Sequence, residues 1–159
     1  MSTELSIAQS SGLQATNTKL ETKQFVTMKV NGQMFGIPVL TVQDVLRPQR
    51  VTPIPLAPSI IKGSINLRGR IVTVIDLRTR LSLAPKEEPE KCMYVVVDYK
   101  DEQYSVVVDS VGEVLTLSLD DFEHNPSNLA ENWRNVSLGV YRLNNQLMVV
   151  LDIDNLLKM

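Results

Sequence analysis

From Phe25 onward the chain alternates apolar and polar positions. Val26, Met28 and Val30 recur at every second residue, Asn31-Gly32 interrupts them, and Phe35 and Ile37 resume on the same face beyond the turn. A period of two belongs to a half-buried strand, and Asn-Gly is a strong signal for a two-residue hairpin turn, whose central positions need positive φ. A second hairpin is centred on Arg68-Gly69. With Leu67 opposite Arg70 and Ile65 opposite Val72, residues Ile65, Leu67, Val72 and Val74 share one face, which belongs in a core. Residues 93–97 and 103–108 form a third hairpin around Lys100-Asp101, rich in the valine expected of buried strands. Residues 111–117 continue as a strand, and residues 139–151 make a fourth hairpin around Asn144-Asn145.

The connections carry their own signals. Thr41 and Asp44 have capping-box spacing, with Asp for the usual Glu or Gln, which predicts a short helical turn over 41–46. Pro48, Pro53, Pro55 and Pro58 exclude regular helix and central strand and predict a stiff, extended crossing. Asp76 and Asp152 are placed as N-caps of short helical turns, the second being the C-terminal helix. Residues 86–90 read as a charged loop, and 118–137 as the longest irregular connection, pinned by the lone Trp133. Residues 1–22, rich in Ser, Thr, Gln and Asn, read as a flexible tail ahead of a folded domain over 23–159.

The chain also repeats itself. Laying Phe25 to Leu46 on Tyr94 to Leu115 without a gap superposes Met28, Phe35, Ile37, Val39, Val42 and Val45 on Val97, Tyr104, Val106, Val108, Val111 and Val114. The second hairpin lies on the fourth in the same way, Gly63 on Gly139, Val72 on Met148 and Asp76 on Asp152. The order is A-B-A′-B′. Because a single twisted hairpin is only marginally stable, two such halves must close sheets against each other. The expectation is a mainly β chain of two small, mostly antiparallel barrels of about five strands each, intertwined around a shared interior.

Composition narrows the function. Sixteen Lys and Arg against eighteen Asp and Glu leave no electrostatic footprint for nucleic acid, and an aromatic content of 5% leaves few stacking platforms. One Cys92 and one His124 cannot supply a disulfide or a Cys/His zinc cage. No apolar run approaches the roughly 20 residues of a membrane-spanning helix, and no secretory-type start is present, so a cytoplasmic location is expected. Gly63 and Gly69 do not have phosphate-loop spacing. His124 lies in a polar loop beside Asn125-Pro126, Cys92 opens an apolar strand, and Asp76, Asp98, Asp109 and Asp152 end strands where capping explains them. No catalytic constellation emerges, and no cofactor or metal is expected. Asp44 reads equally as a cap or a surface contact, Val42 and Val45 as core, and Arg68 as a turn residue followed by Arg70, Arg78 and Arg80.

The stretch Gly63-Ser64-Ile65-Asn66-Leu67-Arg68-Gly69-Arg70-Ile71-Val72 resembles the G-x-x-N-L-R-G-x-I-[VI] signature of the CheW family, the coupling proteins of bacterial chemotaxis. Phe35-Gly36-Ile37 through Leu46, Val108-Asp109-Ser110-Val111-Gly112-Glu113-Val114-Leu115, and Gly139 through Asp152 resemble further family segments, so the likeness spans about residues 25–158 in order. Thr73 stands where proline is usual, Ser105 where glycine is usual, and Asp44 where glutamate is commoner. The resemblance implies two intertwined five-stranded SH3-like β-barrels with short helical turns and a short C-terminal helix. It implies a non-catalytic adaptor joining chemoreceptor tips to the histidine kinase CheA, whose regulatory domain is itself CheW-like, with the membrane reached only through receptors. By position, Val39, Val42, Asp44 and Val45 would line the receptor groove with Arg68 beside it, while Gly63, Asn66 and Gly69 shape the signature turn. It assigns no kinase-contact residue. An adaptor of the same fold in a non-flagellar pathway, such as pilus motility or surface sensing, is the alternative, and a small-ligand sensor a more distant one. Within the signature hairpin, Gly63, Ile65, Leu67, Val72, Val74 and Asp76 recur in the fourth hairpin but Arg68-Gly69 does not, which marks Arg68 as a residue for a partner.

Overall fold

Each alternating segment becomes a strand of one of two five-stranded sheets. The computed structural model describes residues 21–158. Strands β1 (Thr22–Val30) and β2 (Gln33–Pro38) form the first hairpin; Asn31 and Gly32 take φ of 53° and 81°, as its turn requires. β3 (Val42–Leu46) follows, then β4 (Ile61–Leu67) and β5 (Arg70–Asp76), β6 (Met93–Tyr99) and β7 (Glu102–Val108), β8 (Ser110–Ser118), and β9 (Ser137–Arg142) and β10 (Leu147–Leu151). The strand orders are β8-β1-β2-β10-β9 and β3-β6-β7-β5-β4. Thus β3 leaves its own hairpin to pair with β6, and β8 leaves the β6–β7 hairpin to pair with β1. The halves are intertwined by this exchange of third strands.

The repeat is reproduced pair by pair. β10 runs parallel to β2 with Val149 opposite Phe35, and β5 runs parallel to β7 with Thr73 opposite Tyr104, the positions that the alignment equates. The β1–β8 and β3–β6 ladders are both bulged, after Met28↔Val111 in one and Val97↔Val42 in the other. Chain just beyond β8 returns to the opposite edge of its sheet through the Glu123↔Val140 bridge, and chain beyond β3 through Thr52↔Ser64. These two bridges close the sheets into barrels, called here barrel one (β8-β1-β2-β10-β9) and barrel two (β3-β6-β7-β5-β4). Glycine is required where they close: a Cβ on Gly63 would lie 2.3 Å from the Thr52 carbonyl oxygen, and one on Gly139 would lie 2.2 Å from the Phe122 ring.

Three apolar clusters follow from strands that bury both faces. The largest joins the barrels, with Met28, Phe35 and Ile37 of one meeting Val95, Val97 and Val106 of the other. Each barrel also encloses its own interior, Phe25, Tyr141, Met148 and Val150 in barrel one and Ile65, Val72, Val74, Tyr94 and Val96 in barrel two. Trp133, on the short helix α2 (Glu131–Arg134), is buried with its ring 5.7 Å from that of Phe35, so it pins the 118–137 connection as expected. Asp76 caps α1 (Leu77–Arg80) by accepting the Arg78 and Thr79 amides, and Asp152 caps α3 (Ile153–Leu156) by accepting that of Asn155.

One expectation is corrected. The helical turn expected over 41–46 is displaced: Val39–Thr41 is a 3₁₀ turn without a side-chain cap, and Val42–Leu46 is β3. The open edge of β6 offers these five residues a ladder, and pairing outweighs the capping-box tendency of Thr41 and Asp44. The flexible tail expected over 1–22 falls, for residues 1–20, outside the described residues; Thr22 already belongs to β1, paired with Ser118.

Candidate functional site

The 3₁₀ turn Val39–Thr41 and the start of β3 are where the chain crosses from barrel one to barrel two, so their side chains stand at the seam between barrels. Val39 and Val42 are half-buried against the shared core, and Val45 lies opposite Val95 on the same face of the sheet with 36% of its surface exposed. Leu40 is almost fully exposed beside them. The crossover therefore carries an apolar strip at the point where the shared core reaches the surface.

Neighbouring strand residues point to opposite faces, so Asp44 leaves the strip on which Val45 lies. Asp44 stands opposite Val96, over the interior of barrel two, where its Oδ2 accepts from Arg68 Nη2 at 2.9 Å; its Oδ1 accepts the Val45 amide. Of the five residues that the resemblance assigns to a receptor groove, the structure joins Asp44 and Arg68, sets Val42 and Val45 on the other face of β3, and leaves Val39 on the 3₁₀ turn before it. Arg68 sits in the turn of the signature hairpin with φ of 51°, followed by Gly69 at 83°. Asn66 Oδ1 accepts the Gly69 amide at 2.9 Å and braces that turn, while Gly63 serves the barrel closure rather than the turn. Left-handed backbone is unfavourable for a residue with a Cβ, and Asn or Gly is the usual occupant of such a position. An arginine held there, with its side chain 74% exposed, is not explained by the needs of the hairpin. At the corresponding turn of β9–β10 neither Asn144 nor Asn145 has positive φ, so the repeat ends at the turn in conformation as well as in sequence.

The residues alone did not single out Asp109. It does not cap a helix: its carboxylate accepts from Arg78 Nε at 3.1 Å and from Arg78 Nη2 at 2.7 Å, and also from the Asn31 amide at 2.8 Å. The pair is largely withdrawn from solvent, each side chain 17% exposed, and lies where β7 of barrel two gives way to β8 of barrel one. Burial by itself raises the Asp109 pKa, but the Arg78 hydrogen bonds, the Asn31 amide and the charges of Arg78 and Lys86 overcome it and hold the carboxyl below the usual range. Arg78 is correspondingly pushed up, first by its hydrogen bond to Asp109. The available signal was again a break in the repeat, because Asp109 aligns with Leu40.

Cys92 is buried, its thiol donating to the Pro89 carbonyl, and burial pushes its pKa up. His124 is exposed. Among the described residues no three His, Cys, Asp or Glu side chains are grouped to hold a metal, and no helix is long and apolar enough to cross a membrane.

The comparisons with known proteins agree with this architecture. The family model of the CheW-like domain matches residues 24–159. The chain is 26% identical over 138 residues to the chemotaxis protein CheW of Helicobacter pylori, covering 87% of this chain and 83% of that one. It is 29% identical over 137 residues to the chemotaxis protein CheW of Treponema pallidum, covering 84% and 81%. The crystal structure of the scaffolding protein TtCheW from Thermoanaerobacter tengcongensis shares the fold with a TM-score of 0.79 at 23% identity, over 87% of this chain and 94% of that one. With its exchanged third strands, its two bridged barrels and a family match running from β1 through the C-terminal helix, the chain belongs to the CheW-like domain family.

Proposed function

We propose that the chain is a chemotaxis adaptor that couples chemoreceptor signalling tips to the histidine kinase CheA and performs no chemistry of its own. Family membership supports the adaptor role. The observation that carries the receptor contact is the arrangement about β3: an apolar strip, Val39, Leu40, Val42 and Val45, on one side, and on the opposite face Asp44 paired with an exposed arginine kept in left-handed backbone. An amphipathic receptor helix lays its apolar face on such a strip, and Arg68, oriented by Asp44, meets a polar group at its margin. The adaptor then works by contacts that differ between receptor signalling states, which shifts the kinase between inactive and active populations. It acts in the cytoplasm at receptor clusters and reaches the membrane only through them.

The test is reconstitution of the purified chain with CheA and a receptor fragment, with kinase autophosphorylation as the readout. Receptor-dependent activity rises on adding the chain. Unchanged activity over a range of chain concentrations overturns the coupling reading.

A further inference from the structure

A cavity of about 220 Å³ lies under the 82–92 segment, and its lining includes neither the Val39–Val45 strip nor the Arg68-Gly69 turn. Pro85, Pro89, Val107 and the thiol side of Cys92 supply its apolar walls. Its two carboxylates are already engaged: Asp76 caps α1 and takes the Thr79 hydroxyl, and Asp109 takes the two Arg78 donors and the Asn31 amide. Arg78 is engaged as well, its remaining terminal nitrogen donating to the Ala84 carbonyl at 2.9 Å. Two cations are left over. Lys62 and Lys86 line the cavity, and among the described residues neither forms an ion pair. The lining thus carries one more positive than negative charge, and the surplus resides on the two side chains free to turn toward a ligand.

We propose that this cavity binds a small monocarboxylate with a compact apolar body, its carboxylate held between Lys62 and Lys86 and its body against Pro85, Pro89 and Val107. The size follows from the volume, since a cavity of about 150 Å³ accommodates benzene and the remainder suffices for one carboxylate. The single surplus charge favours a monoanion over a dianion, and inorganic phosphate has no apolar body to displace water from the proline and valine walls. Cys92 lines the site as a protonated thiol and does not react with the ligand. It is the only cysteine of the chain, so it reports occupancy directly. The inference stands independently of the adaptor reading.

The experiment uses the full chain and follows iodoacetamide alkylation of Cys92 in the presence of benzoate, of benzamide as the neutral analogue of the same shape, or of inorganic phosphate, all at matched ionic strength. Competitive protection slows alkylation about tenfold when benzoate stands at ten times its Kd. Benzamide and phosphate leave the rate unchanged, and the Lys62→Gln/Lys86→Gln double variant shows no protection relative to its own unliganded rate, which is itself slower because the two ammoniums favour the Cys92 thiolate. A melting-temperature titration with the same compounds gives a second readout that does not depend on thiol access. Equal protection by benzoate and benzamide, protection surviving in the double variant, or no effect of benzoate on either readout up to about 50 mM, where even a site with a Kd of 1 mM is filled, overturns the proposal.

Discussion

Replacing Arg68 by glycine separates what the hairpin needs from what Arg68 adds. The arginine occupies φ of 51°, and relieving left-handed strain at one residue stabilises the fold by about 1 kcal/mol, offset in part by the larger chain entropy of glycine. The substitution also removes the ion pair with Asp44, whose side chains are 74% and 26% exposed; a pair so open to water contributes at most about 1 kcal/mol. The Asn66 bond to the Gly69 amide is untouched. The opposed terms leave Arg68→Gly within about 1 kcal/mol of the parent, a shift of roughly 2–4 °C in melting temperature for a chain of this size. Calorimetric melts measure this, and co-sedimentation with receptor clusters measures partner capture. The expected result is near-parental stability with weakened capture. A melting temperature lower by well over 4 °C makes Arg68 a structural residue, and undiminished capture removes it from the receptor contact; either result refutes the reasoning.

Two further outcomes follow from the fold. Gly63→Ala places a Cβ 2.3 Å from the Thr52 carbonyl at φ of 151°, forces the bridge that closes barrel two apart, and lowers stability by about 1–3 kcal/mol in urea titrations; a neutral result shows that the Thr52↔Ser64 bridge does not close the barrel. Asp109→Asn forfeits the charge of a carboxylate held by two Arg78 donors and costs about 1–3 kcal/mol at neutral pH. Because the Asp109 pKa is lowered on folding, its stabilisation is complete above the unfolded carboxylate value of about 4 and disappears as pH falls through the folded one. Urea melts of variant and parent must therefore converge in acid, and a gap that persists unchanged below pH 4 contradicts the charge-based account.

Much of the architecture is legible without coordinates because its signals are local. Period-two alternation, Asn31-Gly32, Arg68-Gly69 and Lys100-Asp101 identify hairpins, and Asp76 and Asp152 identify helix starts, since each depends on residues adjacent in the chain. The gapless repeat goes further, anticipating two intertwined barrels and, by its interruption at the turn, marking Arg68 as a position that the scaffold alone does not explain. The site is less legible. A helical reading of 41–46 is reasonable for the isolated segment, and only the free edge of β6 converts it to β3.

That edge divides what the sequence by itself determined from what only the tertiary structure decided. Composition and periodicity determined the hairpin strands, their turns and the pairing of halves. Which barrel receives β3 and β8, the placing of Asp44 and Val45 on opposite faces, and the clasp of Arg78 on Asp109 all depend on groups distant in sequence. Strand period states which side chains share a face, but a ladder's partner is chosen by backbone hydrogen bonds that any residue except proline can make, and only the packed core at the crossover selects among them.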